Sequence, residues 1–387
     1  MSKPGVIIIE GHVQGLSNVR SLGEEGIPVW VIDTEKCVAS SSKYCSKFFR
    51  CPAFNDDQLA DFLIELAKKE SIKDWLLMPS NDHAVFTIAR NKERLSQYFK
   101  LITDDLNIIN TIYDKSNLLK IAEKVGVPIP RTHYFTSLDD TLPANFSFPV
   151  LTKGKTGLSF YKSLRTKAFL ASSKEEFLDQ LVVINKHISL SETFTQELIP
   201  FDGTNKTLSF TAFCDKGVIK THWTGVKLRE HPIQFGTATF AKSIYVPELL
   251  EQSRTLLKEL SYTGICEVEY LQDPRTKEYK LIEINARSWL WVGLAKKCGV
   301  NYAKIAYDYV NNIPISYPQS YLEEVYWYNP ITDSVYSFIG IIKSKVKVTT
   351  YLRSIFLLKK ENALFQKGDK MPGVTYIKKL FSFYKKR

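Results

Sequence analysis

The spacing of apolar and polar positions changes character along the chain. Residues 5–10 (GVIIIE), 28–32 (PVWVI) and 75–78 (WLLM) are unbroken apolar runs of strand length, the pattern of strands buried on both faces. Between and after them, apolar residues recur at helical spacing over 16–25, 56–69 and 83–95. Strands alternating with helices predict a doubly wound parallel sheet over residues 1–110. Its ligand-facing loops lie at the carboxyl ends of the strands, here 11–15, 33–34 and 79–82.

A second unit follows from residue 111. Asp114-Lys115-Ser116 can start a helix that runs to Val125, where Gly126 and Pro128 stop it. A short strand over 148–154 ends at Lys153-Gly154, and 155–165 reads as a basic, glycine-containing loop before a strand at 167–170. Such a loop suits polyphosphate, although it lacks the G-x-x-x-x-G-K-[ST] pattern of a P-loop. Strands are predicted over 193–200, 208–213 and 217–225, a loop over 226–239, and helices over 288–297 and 301–310. From residue 313 the character shifts, and 343–387 is dominated by Lys and Arg.

The most informative stretch is 264–287, GICEVEYLQDPRTKEYKLIEINAR, two strand-like runs joined by a polar turn. Glu267 and Glu269 share one face of the first run; Glu283, Asn285 and Arg287 share one face of the second, with Ile282 and Ile284 opposite. Closing the hairpin gathers carboxylates, an amide and a guanidinium on one surface. Two readings stand at this point: a solvated sheet face with ordinary ion pairs, or a site for a hard cation, which adjacent carboxylates and an amide oxygen would suit.

Composition narrows the setting. With 387 residues and 44% hydrophobic positions the chain has material for two or three compact units. Six scattered cysteines form no CxxC pair and read as reduced thiols. The start carries no signal-peptide pattern, and no apolar run reaches the ~18–20 residues of a membrane span, so a cytoplasmic protein is expected. The net charge of +11 owes much to the C-terminal segment. No nucleic-acid module is recognisable, so that charge implies either a solvated basic face or peripheral contact with an anionic surface. The first βα turn, with Gly11, Gly15 and a downstream Asp33, has Val13 where the dinucleotide fingerprint needs glycine, which argues against an NAD-binding oxidoreductase.

Glu269 followed by Glu283-Ile284-Asn285-Ala286-Arg287 resembles the magnesium signature of ATP-grasp ligases, with Ala286 where the family usually has Pro. DKSNLLKIAEKVGVPIPRT resembles the segment that leads into their nucleotide-binding domain, and the wording of 226–239 resembles carboxylate–amine ligases of the D-aspartate ligase-like branch. The resemblance implies an α/β chain: a Rossmann-like front domain (1–110), an α+β ATP-grasp domain (111–312, with a smaller lobe 111–195 and a larger lobe 196–312) and a basic C-terminal extension (313–387). It further implies ATP and Mg²⁺, or Mn²⁺, as cofactors. Glu269, Glu283 and Asn285 would hold the metal. Lys115, Lys153, Lys167, the hinge Gln196-Glu197-Leu198-Ile199 and Asp202 would hold the nucleotide. Arg229 and Arg287 would contact phosphate, acyl phosphate or substrate, and the substrates would be a small carboxylate and an amine, an amino acid among the candidates. The competing class is an ATP-grasp fold that binds nucleotide or an anionic partner without ligating anything.

Overall fold

In a computed structural model of the chain, residues 3–385 are described apart from 136, 138, 139, 204, 232–235 and 345. Part of the expected loop 226–239 therefore lies outside the described residues.

The front of the chain is a doubly wound sheet. β1 (Val6–Ile9), β2 (Val29–Asp33), β3 (Cys45–Arg50), β4 (Trp75–Pro79) and β5 (Phe99–Leu101) run parallel in the order β3-β2-β1-β4-β5. Every residue of β1 is buried, as its unbroken apolar run predicts. β3 and β5 were not predicted because neither is a buried run: β3 is partly exposed along its length at the sheet edge, and β5 has only three residues. The first helix, Val13–Gly23, presses against the end of β1. A Cβ at Gly15 would lie 2.2 Å from the Glu10 carbonyl oxygen, so glycine is required for that approach. The strand order reverses between β1 and β4, which opens a crevice at their carboxyl ends.

A smaller antiparallel sheet follows: β6 (Thr132–Tyr134), β7 (Val150–Gly154), β8 (Phe169–Ala171) and β9 (Thr193–Glu197), in the order β6-β9-β7-β8. The expected basic loop 155–165 is instead mostly the helix Gly157–Leu164. Phe160 and half-buried Leu164, four residues apart, put one face of that helix into the small-lobe core, and burial of Phe160 outweighs the polar composition.

The third sheet has the order β14-β13-β10-β11-β12-β15-β16. Its strands are β10 (Thr207–Asp215), β11 (Val218–His231), β12 (Thr237–Ser243), β13 (Gly264–Gln272), β14 (Tyr279–Asn285), β15 (Tyr326–Tyr328) and β16 (Lys360–Asn362). Residues 226–231, expected in a loop, continue β11, because they pair with β12 through a bulged register. Trp223, Trp289 and Trp291 are buried in one core that is continuous with β1 and the first helix, joining this lobe to the front domain.

The C-terminal segment is built into this frame. β15 pairs antiparallel with β12, and β16 pairs parallel with β15. Arg20, on the first helix, donates to Asp369 and to the carbonyls of Ala363, Leu364 and Asp369, while Ser42 and the Lys43 amide also donate to the Asp369 carboxylate. Both partners of that ion pair are almost fully buried. All six cysteines are free, and among the described residues no helix is long and apolar enough to cross a membrane.

Removing one partner of a buried, fully bonded pair strands the other charge, so Asp369→Ala should lower the unfolding free energy by ~3–5 kcal/mol. Removing the exposed Arg254–Glu251 pair should change it by less than ~1 kcal/mol. Urea denaturation of the two variants checks this, and equal losses would deny that the C-terminal segment is clamped to the front domain.

Candidate active site

The β13–β14 hairpin has the register that its alternation implied. Glu267 stands opposite Asn285, and Glu269 stands opposite Glu283. Two like charges directly across a ladder repel, and here cations from elsewhere answer them. Lys227 of β11 donates to both carboxylate oxygens of Glu269 at 2.9 Å. Lys115, from the first turn of helix Lys115–Lys124, donates to Glu283 at 2.8 Å. The counter-charges of these carboxylates come from residues 42 and 168 positions away.

The electrostatics follow from these contacts. Lys115, assisted by its hydrogen bond, holds the Glu283 carboxyl down to about 2 against the effect of burial. For Lys227, burial acts against the charged form, but Glu269 and Glu267 outweigh it and push the ammonium above its usual range. Glu267 has no such partner: burial, then Glu269, push its carboxyl up to about 8. It accepts from Ser209 at 2.7 Å and from the Asn285 amide at 3.0 Å. Lys153, at the end of β7, is pulled down to about 8 by burial and by Lys115 nearby, and it donates to Gln196 at 3.1 Å.

Arg287 connects this cluster to the front domain. Its guanidinium grips both oxygens of Asp82, which opens the helix after β4 (Asp82–Arg90), and also donates to the Asn285 side-chain oxygen at 3.2 Å and the Ser288 carbonyl. Tyr113 donates to Asp82 at 2.9 Å. Across the crevice, Glu10 follows β1 with φ of 74°, a conformation costly for a side-chain-bearing residue. Gln14 holds Glu10 and also donates to the Ser80 carbonyl. Burial and the Asp33 charge push the Glu10 carboxyl up to about 7, partly offset by Arg287. Asp33 itself accepts from the Gly11 and Thr34 amides, so it serves the first turn internally.

The remaining predicted residues divide. Gln196 and Glu197 end β9 between the lobes, both buried. Glu197 is tied to Arg131 and the Ser147 amide, and the Leu198 amide donates to the Pro149 carbonyl. Ile199 is buried beside them. Asp202 is exposed and exchanges hydrogen bonds with Asn205. Lys167 is exposed, two residues before β8, and is not part of the cluster. Arg229 is held elsewhere as well: Asp333 takes its guanidinium in bidentate fashion at 2.8 and 2.6 Å, and it lies over the Phe240 ring. Of Lys227 and Arg229, two residues apart on β11, Lys227 is the one on the carboxylates. The planar fork of Arg229, expected at phosphate or substrate, is taken by Asp333. Lys227, Asp82, Tyr113 and Glu10 were not singled out; the placement of the 79–82 loop at a strand end was the one available signal for Asp82.

Glu269 and Glu283 offer carboxylate oxygens and Asn285 a side-chain oxygen that here accepts from Arg287, donors of the kind Mg²⁺ and Mn²⁺ take. Among the described residues no group of three or more His, Cys, Asp or Glu is set to hold an ion. An ion on the two carboxylates and one amide would complete its shell with water or phosphate, the habit of Mg²⁺. The donor set fits on those terms.

Comparison with known proteins agrees with this geometry. Residues 228–308 match the family described as carbamoyl-phosphate synthase L chain, ATP binding domain. The chain is 27% identical to a D-aspartate ligase of Enterococcus faecium over 281 residues, 68% of this chain and 66% of that one, so it spans just under two thirds of the relative's length. Among solved structures it is similar to the L-amino acid ligase from Bacillus licheniformis (TM-score 0.61, 14% identity, 84% and 76% of the two chains). It is similar also to N5-carboxyaminoimidazole synthetase from Staphylococcus aureus (TM-score 0.64, 14% identity, 84% and 81%). With a parallel front domain, two antiparallel lobes and the Glu269, Glu283, Asn285 and Arg287 hairpin inside the matched span, the chain has the fold of the ATP-grasp ligases and is similar to them.

Proposed function

We propose that this protein is an ATP-dependent carboxylate–amine ligase of the D-aspartate ligase-like branch, forming an amide through an acyl phosphate. The observation that carries the reading is the opposition of Glu269 and Glu283, each balanced by a lysine that a polyphosphate could recruit. The ligase relatives support it.

In this reading the nucleotide lies between the lobes, with its base against the Gln196–Ile199 hinge and its ribose toward Asp202. Lys115 and Lys153 neutralise its phosphates, and Lys167 is assigned the outer edge of the same site. A carboxylate oxygen of the acid substrate attacks the γ-phosphorus, the bond to the β-phosphate oxygen breaks, and ADP and an acyl phosphate result. The amine then attacks the acyl carbon; inorganic phosphate leaves and the nitrogen loses a proton. Arg287, fixed by Asp82, is positioned for the oxyanion of that step, where a preorganised donor contributes most. Glu269, Glu283 and Asn285 would hold Mg²⁺, which supplies charge neutralisation to the phosphates when bound. Arg229 keeps only an indirect part, through the strand it shares with Lys227. The substrates proposed are a small carboxylate and an amine, with amino acids the first class to screen.

Two outcomes check the reading. Glu283→Gln should slow acid-dependent ADP release by on the order of 10²-fold, since the metal loses a charged ligand. It should also cost stability, because Lys115 loses its partner. The assay is a screen of amino acids and small carboxylates for ADP release, with mass spectrometry of products; folded, nucleotide-binding protein that releases no ADP with any acid would overturn the proposal.

The second concerns Lys153. Its depressed value of about 8 means that it begins to lose its proton near that pH in the free protein, whereas bound phosphate would restore it. Binding is then coupled to proton uptake, so nucleotide affinity should fall as pH rises above about 8. Lys153→Arg, whose charge does not titrate there, should flatten that dependence. Calorimetric titration across the pH range reads both, and identical pH profiles would remove Lys153 from the phosphate site.

A further inference from the structure

Two helices in the C-terminal segment have their amphipathicity inverted. Pro330–Ile342 buries Asp333, Ser337 and Gly340, one face at spacings of four and three. It exposes Val335, Phe338, Ile339 and Ile342, with Phe338 66% and Ile342 67% exposed. The next helix, Val348–Ile355, buries only Ser354 and exposes Val348, Leu352 and Ile355 at i, i+4 and i+7. Phe356 and Leu358 follow at 78% and 97% exposure. A surface helix normally turns this stripe to the core, and a contiguous exposed apolar face marks a surface that something covers.

The charges beside it say what. Between residues 334 and 360 the sequence has no Asp or Glu, while among the described residues Lys343, Lys347, Arg353 and Lys359 supply cations and Lys360 is tied to the Ser354 and Ile355 carbonyls. Two copies of this chain face to face on such a patch would set like charges against like. An anionic bilayer offers both partners at once: lipid phosphates for the lysines and acyl chains for the apolar stripe, the arrangement of helices that lie in the interface. The inversion is held in place from inside, because Asp333 is the bidentate partner of Arg229 and also accepts from Thr239, so the polar face of the first helix is committed to the large-lobe sheet.

We infer that helices Pro330–Ile342 and Val348–Ile355 dock on an anionic lipid surface with their apolar faces inserted at the headgroup level. This surface is independent of the nucleotide chemistry and stands or falls without it.

The test is co-sedimentation of the full chain with vesicles of phosphatidylcholine alone or containing about a third phosphatidylglycerol, alongside its oligomeric state in solution. Binding should be at least about tenfold tighter to the anionic vesicles. Phe356→Ser combined with Leu358→Ser, both at exposed positions, should weaken it by about tenfold or more with an unchanged circular dichroism spectrum. Part of the binding should also survive high salt. Any of three results would overturn the inference: no vesicle binding, whether the chain is monomeric or forms a stable dimer; equal binding to neutral vesicles; or binding abolished by salt and indifferent to the serine variant, which is adsorption by charge alone.

Discussion

The cross-strand opposition of Glu269 and Glu283 is the constraint around which the rest of the site is arranged. Left alone it would be a repulsive contact in a half-buried sheet. It persists because two lysines from different parts of the chain arrive on it: Lys227 from the neighbouring region of the same sheet, Lys115 from the helix that leads into the small lobe. The ion pair of Lys115 with Glu283 joins that helix to the large-lobe hairpin, a junction reinforced where the Leu281 amide donates to the Pro128 carbonyl. Lys153 sits near Lys115 and donates to Gln196; burial and the Lys115 charge depress its ammonium.

The same logic operates at the seam with the front domain. Arg287 is held by Asp82, and Asp82 stands at the topological reversal of the parallel sheet, across the crevice from Glu10. Position in the fold therefore brings the ends of β1 and β4 to the hairpin's guanidinium. At the other side of the lobe, Arg229 and Arg20 fasten the C-terminal segment through Asp333 and Asp369. Arginine serves as a structural fork at both points, where its planar donors are satisfied by a single carboxylate and nearby groups.

Much of this was legible in the sequence where periodicity carried it. The buried runs of β1, β2 and β4 and the alternation of β13 and β14 place the crevice and the carboxylate face directly. What could not be read was long-range compensation: nothing in GICEVEYLQ points to Lys227, and nothing in KLIEINAR points to Lys115 as a counter-ion. Nor does anything near Arg229 point to its partner Asp333, 104 residues downstream. The loop expected at 155–165 became a helix because Phe160 is buried, a tertiary effect that glycine and lysine content masks. The inverted helices of the C-terminal segment were invisible too, because periodicity shows that a stripe exists and not which way it faces.

Thermal unfolding with ATP and Mg²⁺, separately and together, tests the central claim most directly. If the lysine-balanced carboxylates are a metal–phosphate site, Mg-ATP at a hundredfold excess over its dissociation constant should stabilise the fold by ~2.7 kcal/mol through mass action. ATP or Mg²⁺ alone should do distinctly less, since each lacks the partner that completes the site. Folded protein whose melting temperature does not respond to Mg-ATP, or responds equally to Mg²⁺ without nucleotide, would contradict the account.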